Sequence, residues 1–270
     1  MQIRVTLVSP GPIPSSLVSL VPSGEATRSE APYGTRISVL TSHDDPALLR
    51  DALRAVAGPV AVGVIAGPLA TAPARLLMMD VDSTLTTTEA VDLLAAHAGV
   101  GERVAEITER AMRGELDFEA SLRERVATLR GLPTSVFDEV GPAMTLSPGA
   151  PDLIAAARAA GAKVGVTSGG FTQLVGPLAD GLGLDFFNAN ELETETVDGI
   201  RRLTGRVIGT VVDRDQKARD LLRFADAAGV DPAAPSRSVT APTTSPCSPP
   251  PGSRSPTAPS PSPPRPRTSP

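Results

Sequence analysis

From Arg75 to Asp82 the chain reads RLLMMDVD, a nearly continuous apolar run that stops on two aspartates two positions apart. So short and unbroken an apolar run predicts a parallel strand covered on both faces. A second run of this kind, AKVGVTSGG, covers residues 162 to 170. Between the two, residues 88 to 143 read as helices with charged faces, as in VGERVAEITERAMRG and DFEASLRERVATLRG. SPGAPDLIAAARAAG predicts a further helix with Pro148 near its start and Gly161 at its end. Beyond the second strand come a helical TQLVGPLADGLGL, short strands near FFNANELE and LTGRVIGTVV, and an amphipathic helix, DRDQKARDLLRFADAAG, ending at Gly229. Strands alternating with helices predict an α/β fold over residues 75 to 231, with a parallel Rossmann-like sheet. The helical block at about 88 to 145 is then a cap inserted after the first strand.

Upstream, IRVTLVS, TRISVLT and VAVGVIAG are strand-like, and DPALLRDALRAVAG is helical, with Asp45 as N-cap, Pro46 in the first turn and Gly58 near the stop. Residues 1 to 70 therefore predict a small α+β module, suited to a partner or regulatory role. Residues 9 to 34, rich in Pro, Ser and Gly, form its weak middle, and ATAPAR reads as a linker.

The texture changes again near Pro232. From there to residue 270 the chain is Pro, Ser, Thr, Ala and Arg; no acidic residue follows Asp231, and the larger apolar side chains vanish apart from Val239 and Cys247. Such a segment buries too little surface to offset its ordering entropy, so a disordered tail is expected. The net charge of −5 gives no reason to expect nucleic acid as a partner. The single cysteine, Cys247, excludes an internal disulfide framework and a cysteine-based metal site. With no bilayer-spanning apolar run and no basic-then-apolar leader, the expected location is the cytoplasm, away from membranes.

In open α/β sheets ligands bind at the carboxyl ends of the strands, where Asp80 and Asp82 fall. Two carboxylates so spaced can flank one reacting centre in different roles. One attacks phosphorus to give an aspartyl-phosphate; the other protonates the departing alkoxide and then activates water. Mg²⁺ suits such an all-oxygen site. A bare Asp-x-Asp is more often a solvated turn or a calcium loop, but an EF-hand loop needs a glycine where Leu85 stands. VTSGG, residues 166 to 170, ends the second buried strand, and Ser168 with the N–H groups of Gly169 and Gly170 can cradle phosphate oxygens. Lys217, near the start of the last helix, can balance charge on the nucleophile and phosphoryl group.

DVDSTLTTTE, TSGGF and a downstream lysine, in this order and with a helical insert after the first, resemble the phosphoserine phosphatase family of the haloacid dehalogenase superfamily; AMRGELDFEASLRERV in the cap is similar too. The resemblance covers residues 75 to about 230. It implies Asp80 as nucleophile and Asp82 as general acid/base, with both at the Mg²⁺ and Asp82 lending its backbone carbonyl. It implies that Ser168, Gly169 and Lys217 hold the phosphoryl group. It further implies that Glu89 binds the substrate ammonium and Arg125 its carboxylate, with Met112 and Phe118 closing the pocket. A carboxylate for an ammonium and an arginine for a carboxylate suit a zwitterionic amino-acid phosphate. The implied activity is hydrolysis of O-phosphoserine to L-serine and phosphate, the last step of serine biosynthesis. Another small phosphate ester, or a non-catalytic remnant, is the alternative. The N-terminal module is then expected to be a degraded amino-acid-binding regulatory domain, and a homodimer stays open.

The family also carries a Gly-Asp-Gly-x-Asn-Asp loop, whose first aspartate is a direct metal ligand. No such string occurs here. Yet SVTAPTTSPC, Ser238 to Cys247, can be encoded so that reading from the third base of its first codon gives Gly-Asp-Gly-Ala-Asn-Asp-Leu-Pro-Met. The two fixed bases in every shifted codon comply. A frameshift near residues 233 to 237 accounts for this. The chain as written is expected to lose the strands on one side of LLMMDVD, leaving an aggregation-prone open edge. Sequencing the DNA for residues 225 to 270 is expected to show an inserted or deleted base relative to a closely related intact gene; identical frames would sink the idea.

Overall fold

The computed structural model describes residues 1–31, 33–230 and, for the backbone, 239–240. The expected disordered tail and the shifted motif lie outside the described residues, except for those last two positions.

The N-terminal unit runs β1 (Gln2–Ser9), α1 (Ser15–Val18), β2 (Glu25–Ala31), β3 (Gly34–Ser42), α2 (Pro46–Val56) and β4 (Ala61–Ala66). Its sheet has the order β2-β3-β1-β4 with every pairing antiparallel. That βαββαβ arrangement is ferredoxin-like. Alternation along β1 puts Ile3, Val5 and Leu7 into a core with Val39, Leu49, Leu53 and Val62. Asp45 caps α2 by accepting from the N–H groups of Ala47 and Leu48. The weak middle differs from expectation, since it holds α1 and the strand β2. β2 reads EATRSEA, with no apolar alternation, because it is an edge held by its backbone ladder to β3 and by polar contacts such as Thr35 Oγ1 to Glu30. Polar edge strands leave no periodic mark in a sequence.

The second unit is built on a sheet of order β8-β7-β6-β5-β9. β5 (Leu76–Met79) lies parallel to β6 (Lys163–Phe171), and β6 parallel to β7 (Phe186–Val197). Successive side chains of β5 point to opposite faces. Leu77 and Met79 join the larger core with Ile154, Val164 and Leu174, while Leu76 and Met78 pack with Phe224 and Val230 on the other. The ring of Phe224 stacks on Phe186 at 4.9 Å. Helices cover both faces: α7 (Ala150–Ala159) and α8 (Thr172–Gly181) on one, α9 (Arg214–Ala227) on the other.

Two sequence expectations change here. The short strands after α8 are one long hairpin, β7 with β8 (Ile200–Ile208), paired antiparallel. The sheet is therefore mixed rather than wholly parallel. Asp198 and Gly199 form the tip with φ of 50° and 74°, the left-handed pair that a two-residue hairpin turn requires. β5, in turn, is not an open edge. The two-residue β9 (Val239–Thr240) pairs with it in parallel at Leu77 and Met78.

α3 (Ala90–His97), α4 (Gly101–Met112), α5 (Phe118–Ala127) and α6 (Val136–Val140) form the cap between β5 and β6. The segment after α5 is stitched to β8 by three backbone bonds: Gly131 N–H to the Leu203 carbonyl, Leu203 N–H to that of Leu132, and Thr134 N–H to that of Arg201. Gly205 makes the close approach possible. Its φ is +78°, and a Cβ there would stand 3.1 Å from Arg130 Cβ and 3.2 Å from the Ala127 carbonyl oxygen. No helix among the described residues is long and apolar enough to cross a membrane.

Gly205→Ala is expected to cost roughly 1–3 kcal/mol by adding left-handed strain and a clash at this seam. Urea denaturation measures it, and a loss no larger than that of an exposed substitution would contradict the assignment.

Candidate active site

Because β5 and β6 are parallel and in register from Leu76 with Lys163 to Met79 with Val166, their carboxyl ends open at the same edge of the sheet. Asp80 follows β5 there, and Ser168 lies near the end of β6. After Asp80 the chain makes one wide turn, with Leu85 N–H bonded to the Asp80 carbonyl and Thr86 N–H to that of Val81. Within it Ser83 takes a positive φ of 54°, uncommon for a residue with a side chain. This turn swings Asp82 back beneath the first turn of α3.

Asp80 Oδ1 accepts from the Val81 N–H at 2.8 Å, and Oδ2 meets Lys217 Nζ at 2.5 Å. Both side chains of this ion pair are largely withdrawn from solvent. Asp82 Oδ1 accepts from the Ala90 N–H at 3.0 Å, at the positive end of α3. Burial pushes the Asp82 carboxyl up to about 6; the Ala90 N–H opposes this, Glu89 and Asp80 add to it, and Lys217 opposes it. Its other oxygen faces the Ser-Gly-Gly turn, since a Cβ on Gly170 would lie 2.9 Å from Asp82 Oδ2 and 3.1 Å from Ser168 Oγ. Ser168 is fully buried and accepts from the Gly170 N–H at 2.9 Å.

The cap contributes from above. A Cβ on Gly169 would lie 3.0 Å from Phe118 Cζ, so the Phe118 ring overlies the turn. Arg125, two turns further along the same face of α5, is partly buried and makes no ion pair among the described residues. Burial pulls its pKa down from the ordinary guanidinium value, against the raising influence of Glu89, Asp92 and Asp82. Those three carboxylates are thus within its electrostatic reach. Glu89 stands at the N-cap position of α3, makes no side-chain cap bond there, and accepts from Ser83 Oγ at 3.4 Å. Met112, in the last turn of α4, and Phe118 are each 45% exposed, so neither is sealed into a closed wall. Asp80, Asp82, Glu89, Arg125, Phe118, Ser168, Gly169 and Lys217, spread over 138 positions of sequence, are gathered at one edge.

Two buried groups behind the site escaped the sequence pattern. Asp220 on α9 has no solvent exposure; it accepts from Thr167 Oγ1 and Asn188 Nδ2 at 2.7 Å each and from Gln216 Nε2 at 2.9 Å. Asn190 on β7 donates from Nδ2 to the Gly169 carbonyl and accepts at Oδ1 from the Val212 N–H, both at 2.8 Å. A charged residue four before Phe224 on the apolar side of a helix was the available signal for Asp220. For Asn190 it was a polar residue inside the run FFNAN.

The donor set at the edge is anionic and all oxygen, and no group of three or more His, Cys, Asp or Glu able to hold a metal occurs among the described residues. Such a set fits a hard divalent cation that keeps several waters and takes further ligands from a phosphate.

Residues 77–239 match the family model of haloacid dehalogenase-like hydrolases. The chain is 55% identical over 184 residues to a phosphoserine phosphatase of Streptomyces coelicolor, covering 67% of this chain and 44% of that one. It is 51% identical over 150 residues to a phosphoserine phosphatase of Streptococcus thermophilus, covering 56% of this chain and 68% of that one. A solved phospho-aspartyl intermediate analogue of phosphoserine phosphatase superimposes with a TM-score of 0.53 at 38% identity, covering 59% of this chain and 74% of that one. The chain spans less than half the length of the Streptomyces relative. With residues 77–239 matched, a span that takes in the strand-end aspartates, the Ser-Gly-Gly turn and the helical cap, the chain belongs to the haloacid dehalogenase-like hydrolases.

Proposed function

We propose that the site hydrolyses O-phosphoserine to L-serine and phosphate through an aspartyl-phosphate on Asp80. The observation that carries this is the Asp80–Lys217 ion pair at the end of β5, set against the Ser168–Gly170 turn. Asp80 attacks phosphorus, and the bond from phosphorus to the serine oxygen breaks. Asp82 gives its proton to that leaving oxygen; its raised pKa keeps a protonated fraction available near neutral pH. Asp82 then takes a proton from the water that attacks the aspartyl-phosphate, releasing phosphate and regenerating Asp80. Lys217, Ser168 and the Gly169 N–H hold the phosphoryl oxygens. When bound, Mg²⁺, held through Asp80 and the Asp82 carbonyl, supplies charge neutralisation at the phosphoryl group. Relatives named phosphoserine phosphatase, one of them solved as a phospho-aspartyl analogue, support this reading.

The amino-acid end of the substrate falls to Glu89 for the ammonium and Arg125 for the carboxylate, with Phe118 and Met112 at the cap side. Arg125, partly desolvated and without an ion-pair partner among the described residues, favours a ligand that brings its own carboxylate. The proposed setting is the cytoplasm, with a small-molecule substrate, and the ferredoxin-like unit acts as a regulatory module.

The third metal carboxylate enters through the frameshift, which we also propose. The same shifted frame continues upstream. Reading across Ala234 to Ser238 with four-fold codons, the forced bases give alternately a codon for Ala, Thr, Pro or Ser and one for Phe, Leu, Ile or Val. That places a large apolar residue at every second position running directly into Gly-Asp-Gly, compatible with a longer partner for β5 than the two residues of β9.

The chain as written is expected to hydrolyse O-phosphoserine weakly or not at all with Mg²⁺, and the frame-corrected chain to do so readily. Comparable turnover by both would remove the frameshift's functional importance. In the active form, Asp80→Asn should lower turnover by more than about 10³-fold. Arg125→Ala should raise KM for O-phosphoserine by about 10–100-fold while leaving p-nitrophenyl phosphate nearly unaffected. An equal loss on both substrates would place Arg125 outside substrate recognition.

A further inference from the structure

We propose that Asn190 is a positioning residue: it sets the orientation of the phosphoryl-binding turn and fixes that turn to the helix carrying Lys217. The inference rests on residues 168–170 being the phosphoryl cradle and goes beyond the residues that touch the phosphate.

Asn190 is fully buried, and both ends of its amide are engaged by main chain. Because one partner is a carbonyl and the other an N–H, only one orientation of the amide satisfies both. Nδ2 therefore faces Gly169 and Oδ1 faces Val212. The Gly169–Gly170 peptide is trans, so its carbonyl and N–H point in opposite directions. Holding the Gly169 carbonyl against Asn190 turns the Gly170 N–H the other way, onto Ser168 Oγ. Two glycines in succession have no side-chain preference that would otherwise choose this orientation. The peptide plane is thus chosen by a side chain from the neighbouring strand.

The other half of the amide acts on Lys217. Val212 immediately precedes Asp213, which caps α9 by accepting from the Gln216 N–H at 2.7 Å. The Lys217 N–H then bonds the Asp213 carbonyl at 2.9 Å, and its ammonium reaches Asp80. One amide therefore spans from the turn to the cap of the lysine helix. Asp220 anchors α9 further along, at Thr167 and Asn188, but makes no bond to the Gly169–Gly170 peptide.

Asn190→Asp keeps size and the acceptor for Val212 while replacing the donor to Gly169 with an oxygen. The test titrates the full chain with inorganic phosphate and follows ³¹P line broadening, alongside a thermal melt by circular dichroism. Asn190→Asp is expected to weaken phosphate binding by about 10-fold or more with a cooperative melt retained. Asn190→Ser serves the same purpose should the carboxylate prevent folding. Ile154→Ala, a core truncation away from the turn, is expected to lower the melt and leave phosphate affinity unchanged. Phosphate binding within twofold of the unsubstituted chain in a folded Asn190 variant overturns the proposal, most plainly where Ser168→Ala still weakens binding. So does a loss of affinity that merely follows the lowered melt, as Ile154→Ala reveals. No saturable phosphate binding by the unsubstituted chain overturns instead the reading of the turn as a cradle.

Discussion

Asp220 is a carboxylate with no access to water, and the placement of three elements follows from keeping it hydrogen-bonded. A buried anion left without donors is far more costly than any single apolar contact that surrounds it. Thr167 on β6, Asn188 on β7 and Gln216 within α9 supply those donors, and Arg223 adds its charge from the rim at 3.2 Å. Satisfying one side chain therefore locks α9 in rotation against both strands. Lys217, three residues earlier on the helix, then has one direction in which to extend. The stacked rings of Phe186 and Phe224 hold the same helix by area alone and leave its register less sharply defined.

Charge explains why the cap and core must meet at this edge. Asp80, Asp82 and Glu89 follow one another within ten residues of chain, and Asp80 and Asp82 are partly withdrawn from water. Among the described residues the core answers with Lys217 and the cap with Arg125. Neither half balances the cluster by itself. The N-terminus of α3 lends Asp82 part of what it lacks, through the Ala90 N–H, but burial still dominates and the carboxyl stays more basic than an ordinary aspartate.

What the sequence revealed depended on whether burial and periodicity coincided. LLMM and KVGV are continuous apolar runs because both of their faces are covered, so β5 and β6 could be read directly, and the strand-end aspartates with them. The cap helices carry their apolar stripes openly, as Val104 and Ile107 do on α4. β2 had no such mark, being an edge strand with alternating small and charged residues. The hairpin was read as two short strands because β7 and β8 are polar along their outer halves, where only the Asp198-Gly199 tip betrays the pairing. Asn190 and Asp220 show only as polar residues in apolar settings. Apart from Gln216, their hydrogen-bond partners lie 21 to 53 residues away in sequence, which no local pattern contains.

The seam between residues 131–134 and β8 turns α5 into a lever. Its C-terminal end is sewn to the hairpin by main-chain bonds, while Phe118 sits at the N-terminal end over the Ser-Gly-Gly turn. Ten helical residues span about 15 Å, so a tilt of roughly 10° about the seam carries Phe118 through about 2–3 Å. The shortest stroke belongs to the residues nearest the seam and the longest to the Phe118 ring above the Ser-Gly-Gly turn.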